Sequence, residues 1–441
     1  MRTFHLESLG CNKNLIDSEM MLYLMKKEYE YMEDPREAEI IIVNTCAFID
    51  DAKEEAIDTI LTCAEYKTVG KCKKLVVAGC LSQRYGSKLK KEIPEIDILL
   101  GTGDFTEILE RLKNKHNNKF QLFGKPDYNY PSPGKRSLLT PSYSAYLKVA
   151  EGCNNHCSYC VIPQLRGAFR SRPPETILEE AEILTGQGVK EIILTAQDTS
   201  LYGNDLSDSL DLSRLLTMLA ETVNVDWLRF LYFYPTRIND SLLETMSKYS
   251  NICKYLDIPI QHVNKDILES MGRQGDYETF YRTIEKIRDI IPQITLRTTL
   301  IVGYPGETEK EFHELMEFLK STEFDWVGVF PYSPQENTLA YKLDSRPDDR
   351  VVNNRFKKIL QVQSKITQKN YLRWLNKTIR VLVEGRSELN PEFYNCRAEN
   401  QAPETDGIVY IKDNGAVQTG NFVNAKIYHV DGHDLMGEVS R

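Results

Sequence analysis

The sequence GCNNHCSYC occupies residues 152–160 and places three cysteines, Cys153, Cys157 and Cys160, within eight positions. An apolar stretch, Ala145–Ala150, comes directly before it and is predicted to form a β-strand. In β/α folds, catalytic groups lie at the carboxyl ends of the strands. Three thiolates on a four-iron cluster would leave one iron open for a further ligand. The alternatives are a zinc site or three buried thiols, but no second C-x-x-C pair follows to complete a zinc site.

Five further strands are predicted downstream, separated from one another by amphipathic helical segments. These strands are Glu191–Ala196, Trp227–Phe233, Tyr255–Pro259, Thr295–Val302 and Asp325–Phe330. Six β/α units predict a partial (β/α)6 barrel of the TIM type over residues 142–376. A long helix at Asp349–Asn376 would close this domain.

Upstream of this domain, short apolar strands alternate with helical stretches. The predicted strands are Thr3–Ser8, Glu39–Asn44 and Leu75–Gly79. Such alternation predicts a doubly wound parallel α/β sheet over residues 1–115. Residues 116–141 are rich in Asn, Lys, Pro, Ser and Gly and are interpreted as a linker. Short alternating runs after residue 377 predict a small all-β barrel or sandwich over residues 377–441.

A second set of cysteines follows the three strands of the first domain. Cys11, Cys46 and Cys80 each come just after one of these strands. Right-handed crossovers bring the carboxyl ends of parallel strands to one edge, so the three thiols are expected to converge. Gly10 and Gly79 would let the backbone bend tightly beside them. Chance placement of three buried cysteines is the alternative. Four other cysteines lack this placement and are interpreted as structural: Cys63, Cys72, Cys253 and Cys396.

The central cysteine motif resembles the signature of the radical S-adenosylmethionine superfamily, with Tyr159 where that signature usually carries an aromatic residue. The resemblance implies that the open iron chelates the methionine moiety of S-adenosylmethionine. It also implies that one electron from the cluster releases a 5′-deoxyadenosyl radical, which removes hydrogen from an unactivated C–H bond.

Several polar residues at predicted strand ends match this superfamily in kind. Together with Tyr159, the candidate contacts to S-adenosylmethionine are Gln197, Asp198, Gln261, Arg297 and Gly303. Polar groups there would hold the ribose and carboxylate, and Gly303 would let the backbone approach adenine. The alternative for residues 303–306 is an ordinary turn from strand to helix.

A chain with both cysteine sets resembles the methylthiotransferase family over nearly its whole length. In that family an N-terminal domain binds a second four-iron cluster, a radical domain follows, and a small β domain called TRAM comes last. The resemblance implies two 4Fe–4S clusters, with Cys11, Cys46 and Cys80 holding the second. It also implies two S-adenosylmethionine molecules per product: one methylates a cluster-bound sulfur, and the other is cleaved to the radical.

The family divides by substrate into enzymes that modify transfer RNA adenosines and a branch that modifies a ribosomal protein. The target of that branch is an aspartate β-carbon in the twelfth protein of the small subunit. Three stretches resemble it: GCNKNLIDSE at residues 10–19, with Lys13 where the RNA enzymes usually have Met, AQDTSLYG at residues 196–203, and DIPIQH at residues 257–262. The third is shared more widely. Asn12 departs from the Pro that is usual there. Methylthiolation of transfer RNA is therefore the alternative.

The charge of the C-terminal region gives an independent indication of the substrate. From Thr378 onward there are six Lys and Arg residues and ten Asp and Glu residues, a net charge of −4. A module that binds RNA is expected to be basic, because phosphate neutralisation supplies most of its affinity. An acidic module suits a basic ribosomal protein and makes direct nucleic-acid binding unexpected. Ordinary solvated acids on a soluble domain would also account for this charge.

The composition is that of a globular protein, with 41% hydrophobic and 27% charged residues among 441 and a formal net charge of −9. No apolar stretch is long enough to span a bilayer, and an acidic residue comes early at Glu7, so a cytoplasmic location is expected. The resemblance also implies an electron donor such as flavodoxin or ferredoxin. Two other functions compete: an iron–sulfur electron carrier, and a radical enzyme that inserts sulfur or transfers adenosyl without methylation.

Overall fold

A computed structural model describes residues 2–113, 120–128, 130, 135–207, 209–412, 415 and 417–440. The first part of the chain forms a six-stranded parallel sheet in the order β2-β1-β3-β4-β5-β6. Its elements are β1 (Thr3–Ser8), α1 (Asn12–Lys26), β2 (Glu30–Tyr31), β3 (Ile40–Thr45), α2 (Asp50–Val69), β4 (Lys74–Gly79), α3 (Cys80–Glu92), β5 (Ile98–Leu100), α4 (Ile108–Lys113) and β6 (Phe120–Leu122). β3 and β5 are fully buried, as expected of a sheet covered by helices on both faces.

The interpretation of residues 116–141 as a linker is wrong for part of that segment. β6 pairs in parallel with β5 and forms an edge of the first sheet. Arg136 is buried and pairs with Glu19 of α1 and with Glu180. The composition of residues 116–141 is that of a linker, but its described part contacts residues that are distant in the sequence. Residues 116–119, 129 and 131–134 lie outside the described residues.

The central part of the chain contains the six predicted β/α units in two three-stranded parallel sheets, ordered β7-β10-β11 and β12-β13-β14. An isolated bridge between Leu228 and Ile252 joins them, so the strands form a partial barrel. The elements are β7 (Ser144–Lys148), β8 (Ala150–Glu151), α5 (Ile162–Arg166), β9 (Arg170–Ser171), α6 (Pro174–Gly186), β10 (Glu191–Thr195), α7 (Leu212–Thr222), β11 (Trp227–Phe230), α8 (Asp240–Lys248), β12 (Tyr255–Asp257), α9 (Lys265–Ser270), α10 (Tyr277–Ile290), β13 (Thr295–Val302), α11 (Glu309–Thr322), β14 (Trp326–Pro331) and α12 (Asp349–Tyr371).

The helices of this partial barrel pack their apolar faces on the outer side of the strands. α11 begins with a capping box between Thr308 and Glu311, and α10 is capped by the carboxylate of Asp276. α12 was predicted to end at Asn376, but it ends at Tyr371. Asn376 has a φ of 63°, which is outside the helical region. In the described part of the chain, no helix combines the length and apolarity needed to cross a membrane.

The C-terminal part of the chain is a closed five-stranded barrel in the order β15-β16-β17-β19-β18. Its strands are β15 (Thr378–Arg386), β16 (Phe393–Ala398), β17 (Val409–Lys412), β18 (Phe422–Asp431) and β19 (Asp434–Val439). The barrel packs against residues at the amino ends of the central strands, among them Trp227 and Tyr255. The predicted fold class, a doubly wound sheet, a partial barrel and a small all-β domain, is confirmed.

Candidate active site

The central triad, Cys153, Cys157 and Cys160, lies in the loop between β8 and α5. Gly152 opens this loop with a φ of 78°, and a Cβ there would lie 2.1 Å from the carbonyl oxygen of Ala168. A glycine is therefore required where the loop folds back on itself. The N–H of Cys153 donates to the carbonyl of Gly167 at 3.1 Å, and that of Cys160 donates to Cys157 at 3.0 Å. These bonds close the loop around its own thiols.

Each sulfur of the central triad accepts a hydrogen bond. The N–H of Asn155 donates to Cys153 Sγ at 3.4 Å, and that of Ile162 donates to Cys160 Sγ at 3.5 Å. The buried guanidinium of Arg273 donates to Cys157 Sγ at 3.7 Å. Such donors favour thiolates, the form of cysteine that binds iron.

Burial and mutual repulsion act against the charge of these thiolates. Burial, with a smaller contribution from Cys157, raises the pKa of Cys160 to about 12 and that of Cys153 to about 11. The three thiols lie on one short hydrogen-bonded loop, and a cationic cluster would offset the repulsion between their thiolates. In the described part of the chain, no three His, Cys, Asp or Glu side chains lie close enough to hold a single metal ion. The donor set itself, three thiols with sulfur-directed N–H groups, fits an iron–sulfur cluster.

The auxiliary triad, Cys11, Cys46 and Cys80, lies at the carboxyl edge of the first sheet. Cys11 precedes α1, Cys46 follows β3, and Cys80 begins α3 directly after β4; β1, β3 and β4 are adjacent strands. A Cβ on Gly10 would lie 2.5 Å from Cys46 Cβ, so the first loop packs directly on the second. Burial raises the pKa of Cys80 to about 12, with Arg166 acting to lower it and Cys46 and Cys11 making smaller contributions that raise it. The structure thus brings these three thiols together.

The two triads lie at facing edges of the first sheet and the partial barrel. Arg166, at the end of α5, donates to Cys80 Sγ at 3.6 Å and to Asp17 of α1 at 2.6 Å. The ammonium of Lys148 pairs with Asp17 at 2.5 Å and with Glu151 at 2.8 Å. All four charged side chains are buried. A buried network of ion pairs therefore joins the segment that carries one triad to the segment that carries the other.

Side chains from α1 also reach the carboxyl ends of the barrel strands. Asn12 accepts a hydrogen bond from Thr195 Oγ1 at 3.1 Å and donates to the hydroxyl of Tyr232 at 3.3 Å. The Lys13 ammonium lies 3.3 Å from the centroid of the Tyr232 ring. Burial lowers the pKa of Lys13 to about 8, although Cys11 and Asp257 act to raise it.

Two of these strand ends carry backbone strain. Tyr232 has a φ of 61° and Gln261 a φ of 71°, values that side chains larger than glycine rarely adopt. Backbone strain of this kind clusters at functional sites, where the surrounding structure holds it in place. Gln261 bridges to β13, because its N–H donates to Thr299 and its carbonyl accepts from Ile301, each at 2.8 Å.

The remaining predicted cofactor residues divide into two groups. Asp198 accepts hydrogen bonds from Asn155 of the cysteine loop and from Arg237, each at 2.6 Å. Gln197 donates to Glu151 at 2.5 Å. Burial raises the pKa of Tyr159, and the nearby Arg273 and Cys157 also affect that pKa. These three lie around the central triad.

Arg297 and Gly303 have partners elsewhere. The Arg297 guanidinium donates to Asp406 of the C-terminal barrel at 2.7 Å, so it is engaged there instead of being free for a cofactor. A Cβ on Gly303 would lie 2.5 Å from Val352 of α12. The close approach of that helix is therefore sufficient reason for a glycine, as the strand-to-helix turn interpretation expected.

Sequence reasoning missed the buried charges between the triads. Arg166 and Arg273 donate to sulfurs, and Lys148 and Arg166 reach across to Asp17 of the first domain. One signal was available: Lys148 and Glu151 flank the first barrel strand in an otherwise apolar run, just before the cysteines. Asp17, the partner of Lys148 and Arg166, lies more than a hundred residues away from both, and no local pattern predicts that pairing.

Comparison with known families matches three segments of the chain. Residues 147–319 match the radical SAM superfamily, residues 3–101 match the family described as uncharacterized protein family UPF0004, and residues 377–439 match the TRAM domain. The superfamily match assigns an iron–sulfur cluster and S-adenosylmethionine as cofactors.

Solved structures share the fold at low sequence identity. The radical S-adenosylmethionine methyltransferase TsrM from Kitasatospora setae has a TM-score of 0.56 and 15% identity, covering 76% of this chain and 77% of its own. The cobalamin-dependent radical enzyme OxsB has a TM-score of 0.50 and 14% identity, covering 84% of this chain and 56% of its own.

Full-length relatives are much closer in sequence. Proteins named ribosomal protein uS12 methylthiotransferase RimO are 46% identical in Geotalea uraniireducens and 45% identical in Geobacter sulfurreducens and Clostridium botulinum. Each match covers 98% of this chain and 97% of the relative. Because the similarity runs through all three parts of the chain, this protein belongs to the RimO family of radical SAM methylthiotransferases.

Proposed function

We propose that this chain attaches a methylthio group to the β-carbon of an aspartate in ribosomal protein uS12, using two 4Fe–4S clusters and two S-adenosylmethionine molecules per product. The observation that carries the proposal is the placement of two cysteine triads at facing edges, joined by buried ion pairs. The relatives named for this activity match the chain over 98% of its length.

Each triad would hold one cluster. The central triad carries the sulfur-directed donors Asn155, Ile162 and Arg273, which suit a cluster that must also change its electron count. The auxiliary triad has Arg166 as a donor to Cys80. Bound there, the clusters and S-adenosylmethionine would supply the electron transfer, the hydrogen abstraction and the sulfur, chemistry that side chains cannot provide.

The protein's own residues would position these groups and exclude water. Asp198, Asn155 and Arg237 hydrogen-bond one another and hold the cysteine loop against the end of β10. Among the predicted contacts to S-adenosylmethionine, we retain Tyr159, Gln197, Asp198 and Gln261. Arg297 and Gly303 are left out, because Asp406 and Val352 already account for them.

The proposal also names a reductant, a cellular location and a kind of substrate. The electron is proposed to come from a small reductant such as flavodoxin or ferredoxin, and the enzyme is proposed to act in the cytoplasm, where its substrate is made. The acidic C-terminal region favours a basic protein partner over RNA.

Removing each triad separately tests the two-cluster assignment. Alanine at Cys153, Cys157 and Cys160 should remove about half the iron and abolish cleavage of S-adenosylmethionine. Alanine at Cys11, Cys46 and Cys80 should also remove about half the iron, but it should spare cleavage and abolish methylthio transfer. Replacing the buried Cys63 and Cys72 is the matched control and should leave iron content unchanged. Full iron content in either triad variant would contradict the assignment.

A product assay tests the substrate. Purified uS12 and transfer RNA are offered together to the reconstituted enzyme, and both are examined by mass spectrometry. Methylthiolated aspartate in uS12 is expected. Methylthiolated adenosine in transfer RNA, with uS12 unmodified, would overturn the proposal.

A further inference from the structure

The ammonium of Lys13 differs from the other buried cations around the two triads. Lys13 is only 8% exposed, yet among the described residues no carboxylate lies within 4.0 Å of it and its side chain makes no hydrogen bond. Its contact is the face of the Tyr232 ring, at 3.3 Å from the centroid. Buried charges are normally paired, so an unpaired ammonium in this position needs an explanation.

The nearby carboxylates are already engaged by other groups. Glu151 pairs with Lys148 at 2.8 Å and with Arg166 at 3.4 Å. Asp257 accepts the backbone N–H of Tyr232 at 3.0 Å and lies 3.8 Å from Arg297. Among the described residues, Lys13 has Cys11 and Asp257 near it but makes no ion pair with a carboxylate, so it can accept an additional anion.

The surroundings of Lys13 fix its position. Tyr232 holds the strained φ of 61°, and its hydroxyl accepts a hydrogen bond from Asn12. Asn12 is in turn held by Thr195 at the end of β10. The ring is thus fixed between α1 and the barrel, and the ammonium above it is fixed as well, two residues after Cys11 of the auxiliary triad.

We infer that Lys13, supported by the Tyr232 ring, binds the side-chain carboxylate of the substrate aspartate. This inference rests on the proposed function and names the recognition group of that site. The carboxyl carbon of aspartate is bonded directly to the β-carbon, so an ion pair at Lys13 places the reacting carbon within one bond of the recognised group. Lys13 lies two residues after Cys11 and against Tyr232 at the carboxyl end of β11, so a carboxylate held there would lie between the auxiliary triad and the strand ends of the partial barrel. An adenosine ring offers no anion beside its reacting carbon, so a cation here favours an acidic substrate.

The test compares binding of intact uS12 carrying the target aspartate with binding of uS12 in which that residue is asparagine. Binding to the reconstituted enzyme is measured with S-adenosylmethionine present and reductant absent, so that no turnover occurs. The wild-type enzyme should bind the aspartate form at least about tenfold more tightly, as expected for a charge-assisted contact. Lys13→Met keeps the apolar stem and should bind both forms equally, whereas Lys13→Arg should keep a preference for aspartate.

Lys27→Met, on the exposed end of the same helix, is the matched control and should behave as wild type. If Lys13→Met keeps the preference for aspartate, the inference is wrong. It is also wrong if that variant loses the preference only together with a change in the electron paramagnetic resonance signal of the auxiliary cluster, because Lys13 would then act as a counterion of Cys11. If wild-type enzyme modifies uS12 without distinguishing the two forms in binding, the inference alone fails. If it neither binds nor modifies uS12, the proposed function fails with it.

Discussion

At the scale of single residues, glycines determine how closely the auxiliary cysteines approach each other. Gly79 has a φ of 93° and a ψ of −154°, a region that is essentially restricted to glycine. A Cβ there would lie 2.4 Å from Asn44 Oδ1 and 2.6 Å from the carbonyl oxygen of Thr45. The loop carrying Cys80 therefore packs against the end of β3 with no room for a side chain.

Gly79→Ala should destabilise the N-terminal part of the protein and reduce the iron bound there. Backbone strain of about 1–3 kcal/mol adds to overpacking of similar size. Gly188→Ala is the matched control, because Gly188 has a φ of 101° but no atom within 4 Å of its added Cβ. It should show the strain alone and bind full iron. Thermal unfolding and iron content measure both effects, and full iron in Gly79→Ala would show that the tight packing is not required.

At the scale of elements, a buried ion triad connects the C-terminal barrel to the central strands. Glu191 begins β10, and it pairs with Arg229 of β11 at 3.0 Å and with Arg397 of β16. All three side chains are buried. Burial alone would raise the pKa of Glu191, but Arg397 and Arg229 outweigh it and lower the pKa to about 2. The interface therefore depends on an ionised carboxylate.

This triad predicts an acid-sensitive interface. The unfolded carboxyl titrates near pH 4.5, and the folded one near 2. The contribution of Glu191 is thus fully present above pH 4.5 and is lost as pH falls towards 2, and it amounts to about 3 kcal/mol. Glu191→Gln should remove this part of the pH dependence. At neutral pH it should destabilise the protein by about 3–5 kcal/mol, because two buried guanidinium groups lose their partner.

Thermal unfolding between pH 7 and pH 3, together with limited proteolysis between α12 and β15, measures the docking of the barrel. Glu244→Gln, at an exposed position of α8, is the control and should follow the wild-type curve. Parallel curves for wild type and Glu191→Gln below pH 5 would contradict the assigned role of the triad.

Local pattern was enough to predict most elements but not their interfaces. Strand alternation placed β1 and β13 with the bounds that the structure has and the other predicted strands within a few residues, because apolar periodicity is a local property. The short strands β2, β5 and β6 were not predicted. Convergence of Cys11, Cys46 and Cys80 followed from parallel topology. The pairing of Arg136 with Glu19, and of β6 with β5, could not be predicted, because each partner is distant in sequence or the strand is only three residues long.

At the scale of the whole molecule, the two triads and the C-terminal barrel lie at opposite ends of the central strands. The triads lie at the carboxyl ends, while the barrel contacts residues near the amino ends, such as Glu191 and Trp227. Charges on the outer surface of this barrel therefore do not touch the reacting groups. They can act on association with a substrate as large as a protein, but not on the chemical step.

Not all acids of the C-terminal region are available for such association. The Asp406 carboxylate is fully buried and pairs with Arg297, and Glu399 is part of the interface, where its carbonyl accepts from Arg229. Asp413 lies outside the described residues. The acids exposed on the barrel surface are Glu388, Glu392, Glu404, Asp431 and Glu438. A test of charge attraction therefore has to use this exposed set.

Changing Glu388, Glu404 and Asp431 together to Lys should weaken binding of the basic substrate protein. Each exposed charge contributes about 0.2–1 kcal/mol, so the triple reversal should raise KM for uS12 by between about threefold and about a hundredfold at low salt. The effect should fade as salt rises, because exposed charges are screened over about 8 Å at physiological ionic strength. Cleavage of S-adenosylmethionine without substrate should not change, because these residues belong to the C-terminal barrel, which contacts the amino ends of the central strands while the triads lie at the carboxyl ends. Reversing Glu55 and Glu65 on the exposed face of α2 alters net charge equally per residue and controls for a non-specific effect. A KM that responds equally to both sets would mean that net charge, and not the C-terminal surface, attracts the substrate.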